Sequence, residues 1–416
     1  MQPHPSIKPV VLALAALAAG SAAAQSSVTL FGVIDAGVSH YSTRSARFGL
    51  PTPVTPAGTR QSQTVLSSSG YNSSRIGFRG TEDLGGGLAA SFWLEAPVAN
   101  DTGAGAIANF GRRSTLSLSG PFGEVRLGRD YTASFWNDAV FDPMTVNGVG
   151  TNLIAVVNSN LAASRALATG GLLNGGLSAG TDSYLRTSNA ISYFLPPELA
   201  GFYGQVQYAL HENVASSGVP GSPSRRGRYA GARFGWAKGP ADVALAYGQS
   251  TVADTATAGE KIKTINLGAS YDFGPVKLFG ELSRVQDQRD TLATATRITD
   301  KYTGALIGAT VPIGPGLVRA SYARVKFDNG AALLDADASV SKLALGYVHN
   351  LSKRTALYAT VAHIRIKEGR NNPGVMGVTP LVLSIPAILP QPGYVSTGGF
   401  EPRRAIGYDF GIRHAF

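Results

Sequence analysis

The sequence predicts an all-β fold, a 16-stranded antiparallel barrel that spans a membrane, and three observations lead to this prediction. Apolar and polar residues alternate over segments of about ten residues, and short and long connections follow one another regularly. Charged residues make up only 15% of the 416 residues, yet mean hydropathy is +0.05. A soluble domain carries about a quarter charged residues, whereas a helical membrane protein is far more apolar.

The clearest alternation lies in residues 263–273, where aliphatic and aromatic residues occupy most odd positions and small or polar residues the even ones. Residues 202–210 and 406–416 repeat the pattern. Successive side chains of a strand point to opposite faces, so each segment has one apolar and one polar face. A sandwich with a dry core also alternates, but long strands with a small, polar second face favour a wall between lipid and water.

The connections between these segments alternate in length. Short turns are predicted at 84–87, 120–123, 195–201, 239–241, 274–275, 312–316 and 350–353. Longer polar or Gly-rich connections are predicted near 43–72, 97–109, 132–182, 212–227, 253–261, 287–300, 328–338 and 367–403. Together they join 16 strands, with the short turns periplasmic and the long loops extracellular.

Residues 1–24 are predicted to be a signal peptide that precedes a single barrel domain of residues 25–416. A weakly basic start with His4 and Lys8 is followed by an apolar core and three alanines before Gln25. The apolar core has about ten residues, half of what a transmembrane helix needs. Cleavage removes Lys8, so the mature chain carries 35 basic and 26 acidic residues, a net charge of +9.

The sequence offers little that could support catalysis. The chain contains no cysteine, which excludes disulfides, thiolate nucleophiles and cysteine zinc sites. The spacing motifs of zinc peptidases, of serine hydrolases with a nucleophile elbow and of phosphate-binding loops are also missing from it. We therefore expect no enzyme activity, no cofactor and no bound metal.

Four segments carry a resemblance to a known family: SVTLFGVIDAG at 27–37, SSRIGFRGTEDLGGGL at 73–88, PFGEVRLGRDY at 121–131, and the carboxyl end that finishes in Phe416. They resemble the general trimeric porins of Gram-negative bacteria, specifically the β-proteobacterial branch. The resemblance spans the mature chain and implies an outer-membrane homotrimer. Each protomer would enclose a water-filled pore for passive diffusion of small hydrophilic solutes and ions. It also implies that the barrel-assembly machinery reads Phe416 as an assembly signal.

The resemblance further implies that the third long loop, Thr132–Asp182, folds inward and narrows the pore opposite basic residues of the wall. Positions that match the family pattern are Arg75, Arg129 and Arg186 on the wall, with Asp138 and Asp142 as acidic candidates on the loop. Val33 stands where some relatives have a lysine. These arginines and the net charge of +9 suggest a modest preference for anions.

The alternation itself supports two of the wall positions. Arg75 and Arg79 alternate with Ile76 and Phe78, so both arginines should face water. The alternative is that each arginine only pairs with an acid of the wet wall, such as Glu95 or Glu124, without any effect on selectivity.

Other functions remain open at this point. The pore could be specific for one solute, and the barrel could carry a hydrolase site or act as an adhesin or receptor through its loops. Nucleic-acid binding is disfavoured because the basic residues are dispersed. The one tight basic run, Arg225–Arg228, is expected to meet lipopolysaccharide phosphates at the fourth loop.

Overall fold

The structure is a computed structural model that describes residues 27–47, 57–103, 109–168, 184–211, 225–255, 258–291, 295–331, 336–377, 379–380 and 393–416. The predicted signal peptide and the end of the third loop, residues 169–183, lie outside the described residues. Among the described helices, none is both long enough and apolar enough to cross a membrane.

In the described part of the chain, 17 strands form one antiparallel sheet. These are β1 (Ser27–Arg47), β2 (Gly58–Ser68), β3 (Arg75–Gly85), β4 (Leu88–Pro97), β5 (Arg113–Gly120), β6 (Gly123–Tyr131), β7 (Arg186–Phe194), β8 (Phe202–Ala209), β9 (Tyr229–Lys238), β10 (Ala241–Asp254), β11 (Ala258–Asp272), β12 (Lys277–Thr291), β13 (Thr296–Ile313), β14 (Gly316–Asp328), β15 (Ala338–Asn350), β16 (Thr355–Lys367) and β19 (Phe400–Ala415). The two-residue strands β17 (Thr379–Pro380) and β18 (Val395–Ser396) form a separate parallel pair.

The sheet closes into a barrel because the first and last strands pair. Val33 of β1 lies opposite Ala415 of β19. Beyond this pair, the backbones of Gly32 and Phe416 exchange two hydrogen bonds of 3.1 Å. Over the described residues, closure leaves the barrel sheet without a free edge, which a barrel in lipid requires.

The 17 strands make 16 crossings of the wall. The first half of β1 pairs with β3, and this pairing ends where Val33 lies opposite Arg75. The second half of β1 pairs with β2, and this pairing begins where Ala36 lies opposite Ser68. Strands β2 and β3 therefore lie end to end as one crossing that residues 69–74 interrupt. The predicted strand count is confirmed, and each of the seven predicted short turns joins two paired strands.

Three of the long connections are shorter in the structure than the sequence predicted. The structure has strand over most of the stretches near 43–72, 253–261 and 287–300, because β1, β2 and β10–β13 continue into them. The physical reason is that strand ends beyond the lipid have water on both faces. Alternation of apolar and polar residues then stops before the strand does.

The predicted faces are confirmed, and they are inverted relative to a soluble protein. In β11, Ile265 and Leu267 are 45% and 43% exposed, whereas Asn266 between them is 1% exposed. In β19, Phe410 is 62% exposed and Asp409 only 2%. The apolar face thus lies outside, toward lipid, and the polar face lies inside.

The third long loop folds into the barrel as predicted, over the residues the structure describes. It forms helix α1 (Ala133–Val140) and helix α2 (Leu153–Ala168). Thr132 caps α1 by accepting a hydrogen bond of 3.2 Å from the Phe135 backbone N–H. Helix α1 packs on β8–β11 and α2 on β13 and β14.

Glycines of the inner wall make room for this loop. A Cβ atom at Gly268 would overlap the ring of Phe141, and one at Gly304 would lie 2.7 Å from Ile154. Real Cβ atoms do not approach neighbours that closely. The loop therefore lies directly on bare backbone, which fixes how much of the lumen it fills.

Candidate pore constriction

Three arginines converge where the chain leaves the wall to enter the third loop. Arg75 opens β3 just after the interruption midway along its crossing, Arg112 immediately precedes β5, and Arg186 opens β7. Strands β3, β5 and β7, which alternate with β4 and β6 in the sheet, carry these ends, and the loop starts beside them at Thr132. We call Arg75, Arg112 and Arg186 the constriction arginines.

One carboxylate and one phenol hold the constriction arginines together. Glu95 Oε1 lies 2.6 Å from Arg112 Nε and 3.7 Å from Arg75 Nε. The Tyr131 hydroxyl accepts hydrogen bonds from Arg112 at 3.4 Å and from Arg186 at 3.1 Å. The Arg186 guanidinium also stacks on the Tyr131 ring at 4.5 Å. Two guanidiniums thus flank the Glu95 carboxylate, and the Tyr131 phenol joins the third to them.

A second group of arginines extends this basic surface toward the short turns. Arg79 stacks on Phe31 at 5.4 Å and on Trp93 at 5.2 Å, and Arg113 stacks on Trp93 at 4.6 Å. A guanidinium placed over an aromatic ring is attracted by the ring face without using its N–H donors. We call Arg79, Arg113 and Arg126 the vestibule arginines.

The third vestibule arginine is better neutralised. Arg126 binds Glu124 through two hydrogen bonds of 2.8 and 3.0 Å and lies 2.5 Å from Asp130. Asp130 is also 3.7 Å from Arg113. Arg113, Glu124 and Arg126 line a cavity of about 420 Å³ together with Arg79, Thr29, Thr81, Ser91 and Ser117.

The charge balance of the two groups is positive. Arg75, Arg79, Arg112, Arg113 and Arg126 face three carboxylates, Glu95, Glu124 and Asp130, which leaves two positive charges among these described side chains. Arginines of the wall do pair with Glu95 and Glu124, as the alternative interpretation of the sequence predicted. It does not neutralise the wall, because Arg75 and Arg112 share the one carboxylate of Glu95.

The two acidic candidates of the loop lie away from water. Asp138 is fully buried and accepts hydrogen bonds from the Tyr184 hydroxyl and the Asn266 amide. Burial, followed by the nearby Glu281 carboxylate, raises the pKa of Asp138 well above its usual range. Asp142 accepts backbone hydrogen bonds from Met144 at 2.9 Å and Val146 at 2.7 Å. These contacts hold the loop together, so neither carboxylate is placed to line open water.

Polar contacts fasten the far end of the loop to the opposite wall. The Asp409 carboxylate of β19 accepts a hydrogen bond of 2.6 Å from the Val149 backbone. Lys342 donates 2.7 Å to the Thr151 carbonyl. Arg165 of α2 lies 2.6 Å from Asp287 of β12. The loop therefore crosses the lumen from the basic wall to the strands β11–β19.

The sequence-based site is only partly assembled as expected. Arg75 and Arg186 come together through Arg112, and Arg79 lies further along β3, toward the short turns. Arg129 instead donates to the Gly111 carbonyl at 2.7 Å and to the Ser188 hydroxyl at 2.9 Å. The sequence did not indicate that three further arginines belong to the site: Arg112, Arg113 and Arg126. The signal that could have found them is the density of arginine between 112 and 129, with Arg113 and Arg126 on inward-facing positions of their strands.

Comparison with known sequences finds close counterparts. The profile of the Gram-negative porin family matches residues 11–369. Outer membrane porin protein 32 of Delftia acidovorans is 36% identical over 414 residues, which cover 99% of this chain and 100% of that protein. An outer membrane porin protein of Bordetella pertussis is 30% identical over 387 residues, covering 85% of this chain and 93% of that protein.

Comparison of structures gives the same picture. An anion-selective porin from Comamonas acidovorans superposes with a TM-score of 0.71 at 34% identity, covering 94% of this chain and all of that one. An OmpF of Salmonella typhi superposes with a TM-score of 0.57 at 15% identity, a likeness of fold alone.

Proposed function

The chain belongs to the family of Gram-negative porins, and from this membership we propose that its water-filled channel favours small anions over cations of equal size. The protein is an outer-membrane β-barrel that lets small hydrophilic solutes diffuse passively, and it is a channel rather than an enzyme. The observation that carries the anion preference is that Arg75 and Arg112 share the one carboxylate of Glu95, while Tyr131 holds Arg186 beside Arg112.

The width of the pore and the fixed charge at its constriction are sufficient to explain this selectivity. A 16-stranded barrel is wide enough to hold water, and the inward loop narrows it beside the constriction arginines. Two unit charges about 5 Å apart interact by about 3 kcal/mol at an effective dielectric of 20 and by under 1 kcal/mol in bulk water. The wet pore corresponds to the lower value, and salt screens charges beyond about 8 Å. Only arginines at the narrowest point therefore act strongly, and the preference should be modest.

We expect the purified protein to pass chloride about two to five times more readily than potassium at moderate salt. This ratio corresponds to an electrostatic preference for the anion of about 1 kcal/mol at most. The measurement is the reversal potential across a planar bilayer in a tenfold gradient of potassium chloride. Raising both salt concentrations should shrink the preference. A reversal potential of the sign that indicates potassium preference would reject the proposal.

The partners follow from the family and are likewise proposals. We propose a homotrimer, and the terminal Phe416, 43% exposed at the closing seam of the barrel, supports its role as the signal for the assembly machinery. Cleavage after residue 24 is proposed for export. Lipopolysaccharide is the proposed outer-leaflet partner. The run Arg225–Arg228 offers it limited charge, because Asp254 lies 3.8 Å from Arg225.

A further inference from the structure

Two aromatic rings lie on the wet face of the barrel, between the constriction and the short turns. Phe31 of β1 and Trp93 of β4 are half-buried, and their ring centroids are 4.9 Å apart at an interplanar angle of 61°. The Phe31 ring lies on the bare backbone of Gly77, where a Cβ atom would approach it to 2.5 Å. We call Phe31 and Trp93 the aromatic pair. Pockets for small molecules typically combine such rings with a few polar groups.

Trp93 lines the cavity of about 420 Å³ described above, and this cavity opens on the lumen. Its lining residues Ser117 and Ser119 alternate along β5 with Leu116 and Leu118, which are 58% and 43% exposed on the outer face. The barrel wall therefore separates the cavity from lipid and from any neighbouring protomer. Its volume lies within the range of about 300–1,000 Å³ that is typical of small-ligand pockets.

The cavity carries one guanidinium that no described carboxylate neutralises. Arg79 is exposed and forms no ion pair with the acids of the described residues; it lies over Phe31 at 5.4 Å and over Trp93 at 5.2 Å. Arg113 lies over Trp93 at 4.6 Å and is 3.7 Å from Asp130. An anion in the cavity therefore meets a full positive charge at Arg79 and a partly compensated one at Arg113.

A hydrogen bond fixes the indole ring, and hydroxyl groups complete the polar side of the cavity. Trp93 Nε1 donates a hydrogen bond of 3.1 Å to Glu95 Oε2. Thr81 and Ser91 share a hydrogen bond of 3.0 Å between β3 and β4. The cavity thus presents an aromatic surface beside guanidinium and hydroxyl groups. An anionic group attached to a flat ring matches both parts.

We propose that this cavity is a binding site for aromatic monocarboxylates, in which the carboxylate pairs with Arg79 and the ring packs against Trp93. The planar guanidinium fork matches two carboxylate oxygens, and aromatic rings attract one another in offset or edge-to-face contact. Arg79 lies four residues beyond Arg75 on β3, or about 13 Å, so a solute that leaves the constriction reaches this cavity next. The inference rests on the proposed anion channel and names a solute class for it.

The test measures how benzoate reduces the chloride current through single channels in a planar bilayer at neutral pH. Cyclohexanecarboxylate has the same charge and a ring of similar size that is not aromatic, and acetate has no ring. We expect benzoate to halve the current at a concentration at least about threefold lower than cyclohexanecarboxylate requires, and acetate to require the highest concentration. Equal half-blocking concentrations for benzoate and cyclohexanecarboxylate would overturn the proposal.

Variants of the aromatic pair locate the site. Trp93→Leu removes the ring and Trp93→Phe keeps one, while both lose the hydrogen bond to Glu95. The leucine variant should raise the half-blocking concentration of benzoate about threefold or more, and the phenylalanine variant by less than about twofold. Equal losses in the two variants would assign the effect to the hydrogen bond and overturn the proposal. Where Trp93→Leu gives no channels, Phe31→Leu replaces it and should weaken the block in the same direction.

A second aromatic ring of the wet wall provides the matched control. Phe194 also has a guanidinium over its ring, that of Arg126 at 4.1 Å, but it does not line the cavity. Phe194→Leu should leave the block by benzoate unchanged. A loss as large as that of Trp93→Leu would mean that benzoate does not bind in this cavity, which would overturn the proposal.

Charge variants test the carboxylate end of the site. Arg79→Gln should raise the half-blocking concentration of benzoate about fivefold, whereas Lys238→Gln, exposed at a short turn, should change it by less than about twofold. Equal effects of the two variants would overturn the pairing with Arg79.

The reversal potential in potassium chloride tests the proposed function separately. Trp93→Leu removes no charge, so it should keep the reversal potential of the unaltered protein while it loses the block by benzoate. A channel that prefers chloride but does not distinguish benzoate from cyclohexanecarboxylate would overturn the aromatic site alone. A channel that prefers potassium would overturn the proposed anion preference, and the order of the two ring acids would still decide whether the cavity binds aromatic carboxylates.

Discussion

Replacing Arg75, Arg112 and Arg186 by serine is expected to lower the ratio of anion to cation permeability about two- to fivefold. The triple variant removes three guanidiniums from the basic wall, where Arg75 and Arg112 share the one carboxylate of Glu95. In the wet, screened pore their electrostatic effect amounts to about 1 kcal/mol at most, which corresponds to a factor of about five. The modest anion preference should therefore fall to about unity.

The reversal potential in a salt gradient measures this change, and single-channel conductance should rise as well because three long side chains leave the constriction. Lys238→Ser, Lys353→Ser and Arg354→Ser remove the same charge at the short turns. This control should keep the preference within a factor of two. If both triple variants behave alike, the net charge of the chain governs selectivity and the constriction arginines have no special role.

Replacing Gly268 by leucine is expected to reduce conductance strongly, by about a third or more, and to destabilise the barrel. The inner wall at Gly268 has no room for a side chain because the Phe141 ring lies on the glycine backbone. Overpacking of this kind costs about 1–3 kcal/mol, and the loop can relieve it only by moving into the lumen. Single-channel recording and thermal unfolding in detergent measure the two effects.

The neighbouring residue provides the control. Ala269 is exposed on the outer face of the same strand, so Ala269→Leu places the same side chain in lipid. Conductance and stability should then stay unchanged. Equal effects at both positions would mean that the loop does not lie on this part of the wall.

The sequence predicted the wall better than the interior. Ile265 and Asn266 could be assigned to opposite faces because alternation depends only on neighbouring residues. Where water covers both faces, as near Arg47 and Gly58 at the ends of β1 and β2, alternation stops and the strand ends were misplaced. The interruption between β2 and β3 was likewise invisible, because it depends on pairing with both halves of β1.

The site was harder to predict because its members come from irregular backbone. Arg75 follows a regular strand pattern, whereas Arg112 lies outside any strand, so alternation gives its side chain no direction. Arg129 was expected in the cluster from resemblance, and the register shift between Gly128 and Asp130 gives it other partners. Burial of Asp138 depends on Asn266, 128 residues away in sequence, a contact that no local pattern contains.

The most direct test of the wall is chemical access to single cysteines, since the chain has none of its own. Ser119 faces the lumen beside the vestibule arginines, while Leu118 and Leu116 are 43% and 58% exposed on the outer face. A negatively charged, water-soluble thiosulfonate should reduce the current through Ser119→Cys channels in a bilayer. It should leave Leu118→Cys and Leu116→Cys channels unaltered. Modification at the leucine positions with none at Ser119 would contradict the assignment of the apolar face to lipid and the polar face to water.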